Sequence, residues 1–307
     1  MKNIFIIVLA IIVVGLGAYV FIRNSPKNAS VTQGQGTTTD TAQLQGDTQT
    51  ATTSAPVLDK GETIIGKSIE GRNIIAYHYG TGTTEILFIG DIHGGYTWNT
   101  ALLAYQTMDY LKASPDVIPK NLKVTVIPVL NPDGLNKVVG TTTASFTQSD
   151  VAPSQAAQIS GRFNANMVDL NRNFDCDWKS SAIWQGQKVS GGSGAFSEPE
   201  SQAIKNYVET NKPKAVVAWY ASAGGVFASS CDDGVLPETL TLTNIYAKAA
   251  GYTSNEKYNF NAIPGDMVNW LAKMEIPAIS VLLTNHTSTE WTKNQAGIKA
   301  ILEHYAE

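Results

Sequence analysis

The chain has 307 residues, of which 43% are hydrophobic and 16% are charged, so it can build one large domain or two small ones. Its net charge of −4, with no basic run after Lys27, argues against nucleic acid as a partner. It has two cysteines, Cys176 and Cys231, which either pair in an oxidising compartment or stay as buried thiols.

The first segment is apolar from Ile4 to Ile22, apart from glycine and one tyrosine, and is flanked by Lys2 and Arg23. About 20 such residues are enough to span a bilayer. A cleaved signal peptide is the alternative, because small residues occur within the run, but the run continues past them. We therefore predict a transmembrane anchor over residues 1–23.

Residues 24–57 are rich in Thr, Gln and Gly and have almost no large apolar side chain. Such a segment buries no core, so we predict a flexible tether. A tether that follows a membrane span usually holds a domain outside the membrane. We predict a single-pass membrane protein with an extracytoplasmic domain, or a secreted protein if the first segment is cleaved.

From Leu58 onward, strand and helix patterns alternate. The strand-like segments are IIAYHYG, EILFIGDI, LKVTVIPVL, AVVAWYAS and AISVLLT. The helical segments are WNTALLAYQTMDYLKA, SEPESQAIKNYVETN with a capping box of Ser197 and Glu200, PETLTLTNIYAKAAG closed by Gly251, GDMVNWLAKMEI and TEWTKNQAGIKAILEHYAE. This alternation predicts an α/β sheet covered on both faces, with its ligand site beyond the carboxyl ends of the strands.

Six motifs occur in order along this part of the chain: IGKSIEGRNI, GDIHGG, VIPVLNPDGLN, GRFNANMVDLNRNF, GAFSEPESQAI and IPAISVLLTNH. Together they resemble the zinc carboxypeptidase family, the carboxypeptidase A and T type metallopeptidases, over residues 58–307. The resemblance implies a mixed, mostly parallel eight-stranded sheet between helices. It also implies a zinc ion held by an H-x-x-E motif and a second histidine, a glutamate as general base, and an Asn-Arg pair with another arginine that binds the substrate carboxylate.

Most of the implied zinc site is substituted. His93 matches the first ligand, but the glutamate position falls on Tyr96, or on Thr97 if the match slides by one. Tyr220 stands in place of the second histidine and Leu282 in place of the base. A phenol is a poor zinc ligand at neutral pH, and leucine accepts no proton. We therefore predict a vestigial metal site and no bound cofactor.

Other residues offer alternatives at this site. Asp169 matches the family aspartate that orients the first zinc histidine, so we expect a hydrogen bond between Asp169 and His93. Asp91 and His93 are two residues apart on one strand and could hold a weak two-ligand metal site. His286 and Glu290, which follow the lost base, are possible substitute ligands.

The residues that bind the carboxylate in the family are retained. Arg162 matches the first arginine, and Asn171 and Arg172 match the pair. The planar fork of arginine meets a carboxylate with two hydrogen bonds. In the alternative interpretation, the arginines pair with acids such as Asp169 or Asp175 and brace the loop.

These residues predict a catalytically degraded, membrane-anchored domain that binds the C-terminal carboxylate of a peptide or a cell-wall peptide. One alternative is an active metallocarboxypeptidase, zinc-dependent and with unconventional ligands, and another is a scaffold domain without a ligand. Tyr258 is a candidate for a loop tyrosine that contacts the ligand.

The fold implied by the resemblance also bears on the cysteines. It places Cys176 and Cys231 near the carboxyl ends of neighbouring strands, close to the rim of the site. We therefore predict a Cys176–Cys231 disulfide.

Overall fold

The computed structural model describes residues 61–232 and 234–306. The predicted anchor over residues 1–23 and the predicted tether over residues 24–57 lie outside this part of the chain. Among the residues that the structure does describe, no helix combines the length and apolar character needed to cross a bilayer.

An eight-stranded mixed sheet forms the centre of the described part. Its strands are β1 (Glu62–Lys67), β2 (Asn73–Tyr79), β3 (Thr84–Ile89), β4 (Leu122–Ile127), β7 (Ala215–Ala221), β8 (Gly225–Ala228), β9 (Thr253–Asn255) and β10 (Ala278–Leu283). Their order is β1-β2-β4-β3-β7-β10-β8-β9, and the central strands β4, β3, β7 and β10 are parallel. The remaining strands, β5 (Ser181–Trp184) and β6 (Gln187–Ser190), form a separate hairpin. The predicted mixed, mostly parallel eight-stranded sheet is confirmed.

Helices fill most of the connections between the strands. They are α1 (Trp98–Ala113), α2 (Pro132–Val139), α3 (Gln155–Ser160), α4 (Pro199–Asn211), α5 (Pro237–Ala250), α6 (Met267–Lys273) and α7 (Trp291–His304). Helix α5 ends at Gly251, which adopts the left-handed conformation with φ of 69°, as the C-terminal glycine predicted.

The capping box predicted for α4 is wrong. The residue that precedes the helix is Glu198, and its side chain makes no capping hydrogen bond. Ser197 donates instead to the Glu198 carboxylate, while Glu200 accepts from the backbone N–H of Ile69 and from Asn164. Donors from distant loops therefore bond to Glu200, and the adjacent Glu198 accepts from Ser197, so neither side chain caps the helix.

Apolar side chains cover both faces of the sheet because alternate residues of each strand point to opposite sides. Ile86 and Phe88 of β3 join the cluster that includes Tyr246 of α5. Leu87 of β3 joins the cluster that includes Trp270 of α6. The sheet is thus sandwiched between helices, as predicted.

The parallel strands bring the candidate site residues to one edge. Leu282 of β10 pairs in register with Tyr220 of β7, one residue before that strand ends. On the other side of β7, strand β3 ends at Ile89 and leads directly to His93. Positions that are far apart in the sequence therefore meet beyond the carboxyl ends of adjacent strands.

Candidate functional site

A cavity of about 340 Å³ opens at this edge of the sheet. We call its two sides the metal end and the arginine end. The metal end consists of His93, Tyr96, Tyr220 and Leu282. The arginine end consists of Arg162, Asn171 and Arg172 with Asp169 and Asp266 beside them.

His93 has no hydrogen-bond partner for either ring nitrogen among the described residues, although its side chain is buried. Its Nε2 lies 3.6 Å from Oδ1 of Asp169, which is too far for the hydrogen bond that the sequence predicted. Burial and the nearby positive charge of Arg162 hold the pKa of His93 well below its ordinary value, so the ring is neutral. Asp169 is drawn away because its oxygens accept from Arg162 and from the backbone N–H of Asn171.

Tyr220 and Leu282 fill the space next to His93. The Tyr220 ring centroid lies 5.7 Å from that of His93, and its hydroxyl lies 3.4 Å from Oδ1 of Asn171. Burial raises the pKa of Tyr220 well above its ordinary value, so it remains a neutral phenol. Of the two residues proposed for the glutamate position, Tyr96 lines the cavity, whereas Thr97 is buried and does not.

These residues do not fit a zinc ion. Catalytic zinc sites use about three histidine, cysteine or carboxylate ligands. Within residues 61–232 and 234–306, no three such side chains lie close enough together to hold a metal. The metal end offers a single imidazole, two phenols, of which burial keeps that of Tyr220 protonated, and a leucine with no donor atom. The expectation that no cofactor is bound stays a prediction.

The alternative ligands do not complete the set. Asp91 and His93 do not share a strand face, because β3 ends at Ile89 and Asp91 adopts a left-handed backbone conformation with φ of 57°. Glu290 accepts hydrogen bonds from the backbone and hydroxyl of Thr284 and from Tyr252 instead of lining the cavity.

At the arginine end, Arg162 is already paired with an acid. Its Nε and Nη2 donate to Oδ2 of Asp169 at 3.0 and 2.8 Å, and its guanidinium lies 4.4 Å from the Trp184 ring centroid. Burial alone would raise the pKa of Asp169, but Arg162 and Arg172 outweigh burial and lower it to about 2. Arg162 therefore makes the pair with Asp169 that the alternative interpretation named.

Arg172 differs from Arg162 in having no acidic partner within 4 Å in the described part of the chain. Its side chain is buried, its Nη1 donates to the backbone carbonyl of Asn171 at 2.7 Å, and its Nε has no partner. Asp175, which the sequence offered as a partner, pairs with Lys273 instead. The cavity therefore contains a buried guanidinium whose charge no neighbouring acid balances directly.

Asp266 is a site residue that the sequence reasoning missed. Its Oδ2 accepts from Nδ2 of Asn171 at 2.7 Å, and its Oδ1 caps α6 by accepting from the backbone N–H of Asn269. Burial raises the pKa of Asp266. The aspartate just before the helical pattern MVNW marks an N-cap, but nothing local indicates that its second oxygen reaches Asn171.

The rim of the cavity is aromatic. Trp184, on the β5–β6 hairpin, packs edge-on against Tyr96 with ring centroids 5.1 Å apart, and Gln185 donates to the Tyr96 hydroxyl. This hairpin lies in a passage that the sequence analysis left without predicted elements. Tyr258 also lines the cavity, where a loop tyrosine was expected.

The predicted disulfide is confirmed. Cys176 and Cys231 are bonded, with their Cα atoms 6.1 Å apart. Cys176 follows Arg172 by four residues, so the bond anchors the loop of the arginine end to the segment after β8. In the described part of the chain no cysteine remains free.

Comparisons with known proteins support the fold and the family. A family model described as zinc carboxypeptidase matches residues 52–303. Carboxypeptidase E of Caenorhabditis elegans is 27% identical over 224 residues, which cover 68% of this chain and 43% of that protein. Gamma-D-glutamyl-L-diamino acid endopeptidase 1 of Lysinibacillus sphaericus is 24% identical over 238 residues, which cover 72% and 59%. The chain thus spans about half the length of these two relatives.

Solved structures with the same fold include bovine thrombin-activatable fibrinolysis inhibitor in complex with a tick carboxypeptidase inhibitor. Its TM-score is 0.63 at 15% identity, and the match covers 79% of this chain and 89% of that chain. The murein-tripeptide amidase from Escherichia coli O157 has a TM-score of 0.55 at 19% identity, and the match covers 82% and 95%. At these identities the likeness establishes the fold alone.

Proposed function

The chain belongs to the zinc carboxypeptidase family, and we propose that it is a catalytically degraded member whose cavity binds the C-terminal carboxylate of a peptide. The observation that carries this proposal is the state of Arg172. It is a buried guanidinium that faces the cavity and has no acidic partner within 4 Å among the described residues. A carboxylate ligand would supply the missing charge through two hydrogen bonds.

The substituted metal end supports the loss of hydrolysis. Water activation needs a proton acceptor, and Leu282 has none. Zinc binding needs more than the one imidazole of His93. We expect the purified protein to hold much less than one equivalent of zinc.

The relatives and the disulfide support the class of ligand and the location. Two of the matching proteins are named for murein-tripeptide amidase and gamma-D-glutamyl-L-diamino acid endopeptidase activities. A cell-wall peptide carboxylate is therefore a ligand to test beside ordinary peptides. The predicted anchor and tether, and a disulfide of the kind that persists in oxidising compartments, support an extracytoplasmic domain held at a membrane.

The test is a matched pair of peptides that differ only in a free or amidated C-terminus. A hydrogen bond to a charged group contributes about 1.5–3 kcal/mol, so the free acid should bind about tenfold to a hundredfold more tightly by calorimetry. Arg172→Ala should abolish the preference. Arg172→Lys should retain only part of it, because lysine keeps the charge but loses the fork.

Lys273→Gln is the matched control, because Lys273 is a cation that pairs with Asp175 outside the cavity. It should leave the preference for the free acid intact. Equal affinity for both peptides, or none for either, would leave the scaffold interpretation. Stoichiometric zinc together with release of the C-terminal residue would instead establish an active metallocarboxypeptidase.

A further inference from the structure

Ser222 and His286 lie side by side on the wall of the cavity, and neither is needed for the carboxylate binding proposed above. Ser222 follows the last residue of β7, and His286 follows β10 by three residues. Because β7 and β10 are parallel neighbours, both residues emerge at the same edge of the sheet. The Ser222 Oγ lies 3.3 Å from the His286 Nε2, and both side chains line the cavity.

The other ring nitrogen of His286 determines its tautomer. Nδ1 lies 3.1 Å from the backbone carbonyl oxygen of Tyr96, and a carbonyl oxygen only accepts hydrogen bonds. Nδ1 therefore carries the proton, Nε2 presents its lone pair, and the Ser222 hydroxyl donates to it. The imidazole also packs on the Tyr96 ring, with centroids 4.5 Å apart, so its orientation is held from two directions.

This arrangement is that of an activated serine. An activated serine must be hydrogen-bonded to a base, and a third group must orient that base. Here the carbonyl of Tyr96 orients the base. The residue Ser222 is exposed, so a reagent in the cavity can reach its Oγ. Burial lowers the pKa of His286 and nearby Arg162 lowers it further, while the bond from Nδ1 to Tyr96 opposes them, so the base is neutral at neutral pH.

We propose that Ser222 and His286 form a nucleophile–base pair that gives this cavity a metal-independent acyl-transfer activity toward esters. The Ser222 Oγ attacks the ester carbonyl carbon, and the hydroxyl proton passes to Nε2 of His286. The bond to the leaving alcohol breaks, and that alcohol takes the proton from Nε2. Water then attacks the acyl-serine, its proton passes through Nε2 to Oγ, and the acid is released, so the net reaction is ester plus water to acid plus alcohol.

Esters fit this pair better than amides. A carbonyl group orients the imidazole but stabilises the imidazolium less than a carboxylate does. The alcohol of an ester also leaves more readily than an amine. The activity is independent of the peptide binding proposed above, because it needs neither zinc nor the guanidinium of Arg172.

The test uses the intact protein with a chelator present throughout. A fluorophosphonate probe should add to one serine, which peptide mapping by mass spectrometry should identify as Ser222. Hydrolysis of 4-nitrophenyl acetate should be lost in Ser222→Ala and should fall at least about tenfold in His286→Gln, since general-base catalysis is usually worth that or more. The rate should rise with pH through an ionisation below the usual histidine value of about 6.5.

Ser149→Ala and His304→Gln are matched controls. Ser149 is exposed and bonds to the Thr147 hydroxyl, and His304 pairs with Glu238 on α5. Neither control should change labelling or hydrolysis. Equal labelling of Ser222→Ala and wild type, an unlabelled wild type, or an unchanged rate in His286→Gln would each overturn the proposal. A hydrolysis that the chelator abolishes would also overturn it.

Discussion

The two ends of the cavity differ in whether their buried polar groups need a bound cation. At the metal end, the positions beside His93 now hold a phenol and a leucine. The arginine end contains two guanidinium groups; that of Arg162 pairs with Asp169, and Asn171 donates to Asp266. A metal site depends on its cation, because without it each buried carboxylate ligand is an unpaired charge. The arginine end needs no cation, since its ion pair is internal.

Within the arginine end, Arg162 and Arg172 also differ in whether an acid balances their charge. Arg162 forms a buried ion pair with Asp169, whereas Arg172 has no acid within 4 Å among the described residues. We therefore expect the first arginine to maintain the structure of the loop and the second to be available to a ligand. This distinction between two residues of one motif yields the largest effect that we predict.

Arg162→Gln should destabilise the protein by about 3–5 kcal/mol, because it leaves the Asp169 carboxylate buried without its partner. Arg172→Gln should change stability by no more than about 1 kcal/mol, because it removes a buried charge that no acid balances directly. Urea denaturation of the two variants measures the difference. Equal losses in both variants would contradict the division of roles.

Leu282→Glu should destabilise the protein by about 3 kcal/mol, because the new carboxyl group is buried at the metal end without a cation. Leu282→Met, which conserves volume, should cost less than about 1.5 kcal/mol. Tyr96→Glu, Tyr220→His and Leu282→Glu combined should restore zinc affinity, so that added zinc raises the melting temperature. If Leu282→Glu alone is as stable as wild type, the metal end is more hydrated than the structure indicates.

The smallest effect concerns pH. Burial and Arg162 lower the pKa of His93 in the folded protein. The neutral His93 therefore stabilises the fold fully above its unfolded pKa of about 6.5, and this stabilisation is lost as the pH falls below that value. The lowered pKa of Asp169, about 2, has the same sign and adds a loss of about 2 kcal/mol between about pH 4 and pH 2.

His93→Gln should remove the loss of stability that begins below about pH 6.5 and should leave the loss that Asp169 causes at lower pH. Urea denaturation at a series of pH values measures both. His304→Gln should leave the profile unchanged, because His304 pairs with Glu238 on the surface. An unaltered profile in His93→Gln would mean that His93 is not the neutral buried histidine described here.

Much of the fold and part of the site could be predicted from local patterns. Apolar runs and periodicity indicated the central strands and α1, and Gly251 marked the end of α5. The series of motifs indicated the family, and its fold indicated the disulfide. The capping box at Ser197 failed, because Ser197 bonds to the adjacent Glu198 and donors from other loops bond to Glu200.

The sequence by itself determined which residue types occupy the site, and hence the prediction that its metal end lacks zinc ligands and a base. It also determined the alternation of strands and helices, since each element depends on the spacing of apolar residues within a short stretch of the chain. Only the tertiary structure decided which of the two arginines pairs with an acid. It also decided that Asn171 donates to Asp266, which lies 95 residues further along the chain. It also brought Ser222 and His286, 64 residues apart, within hydrogen-bond distance. Such contacts depend on which side chains the packed sheet and its loops bring together, and no local pattern carries that information.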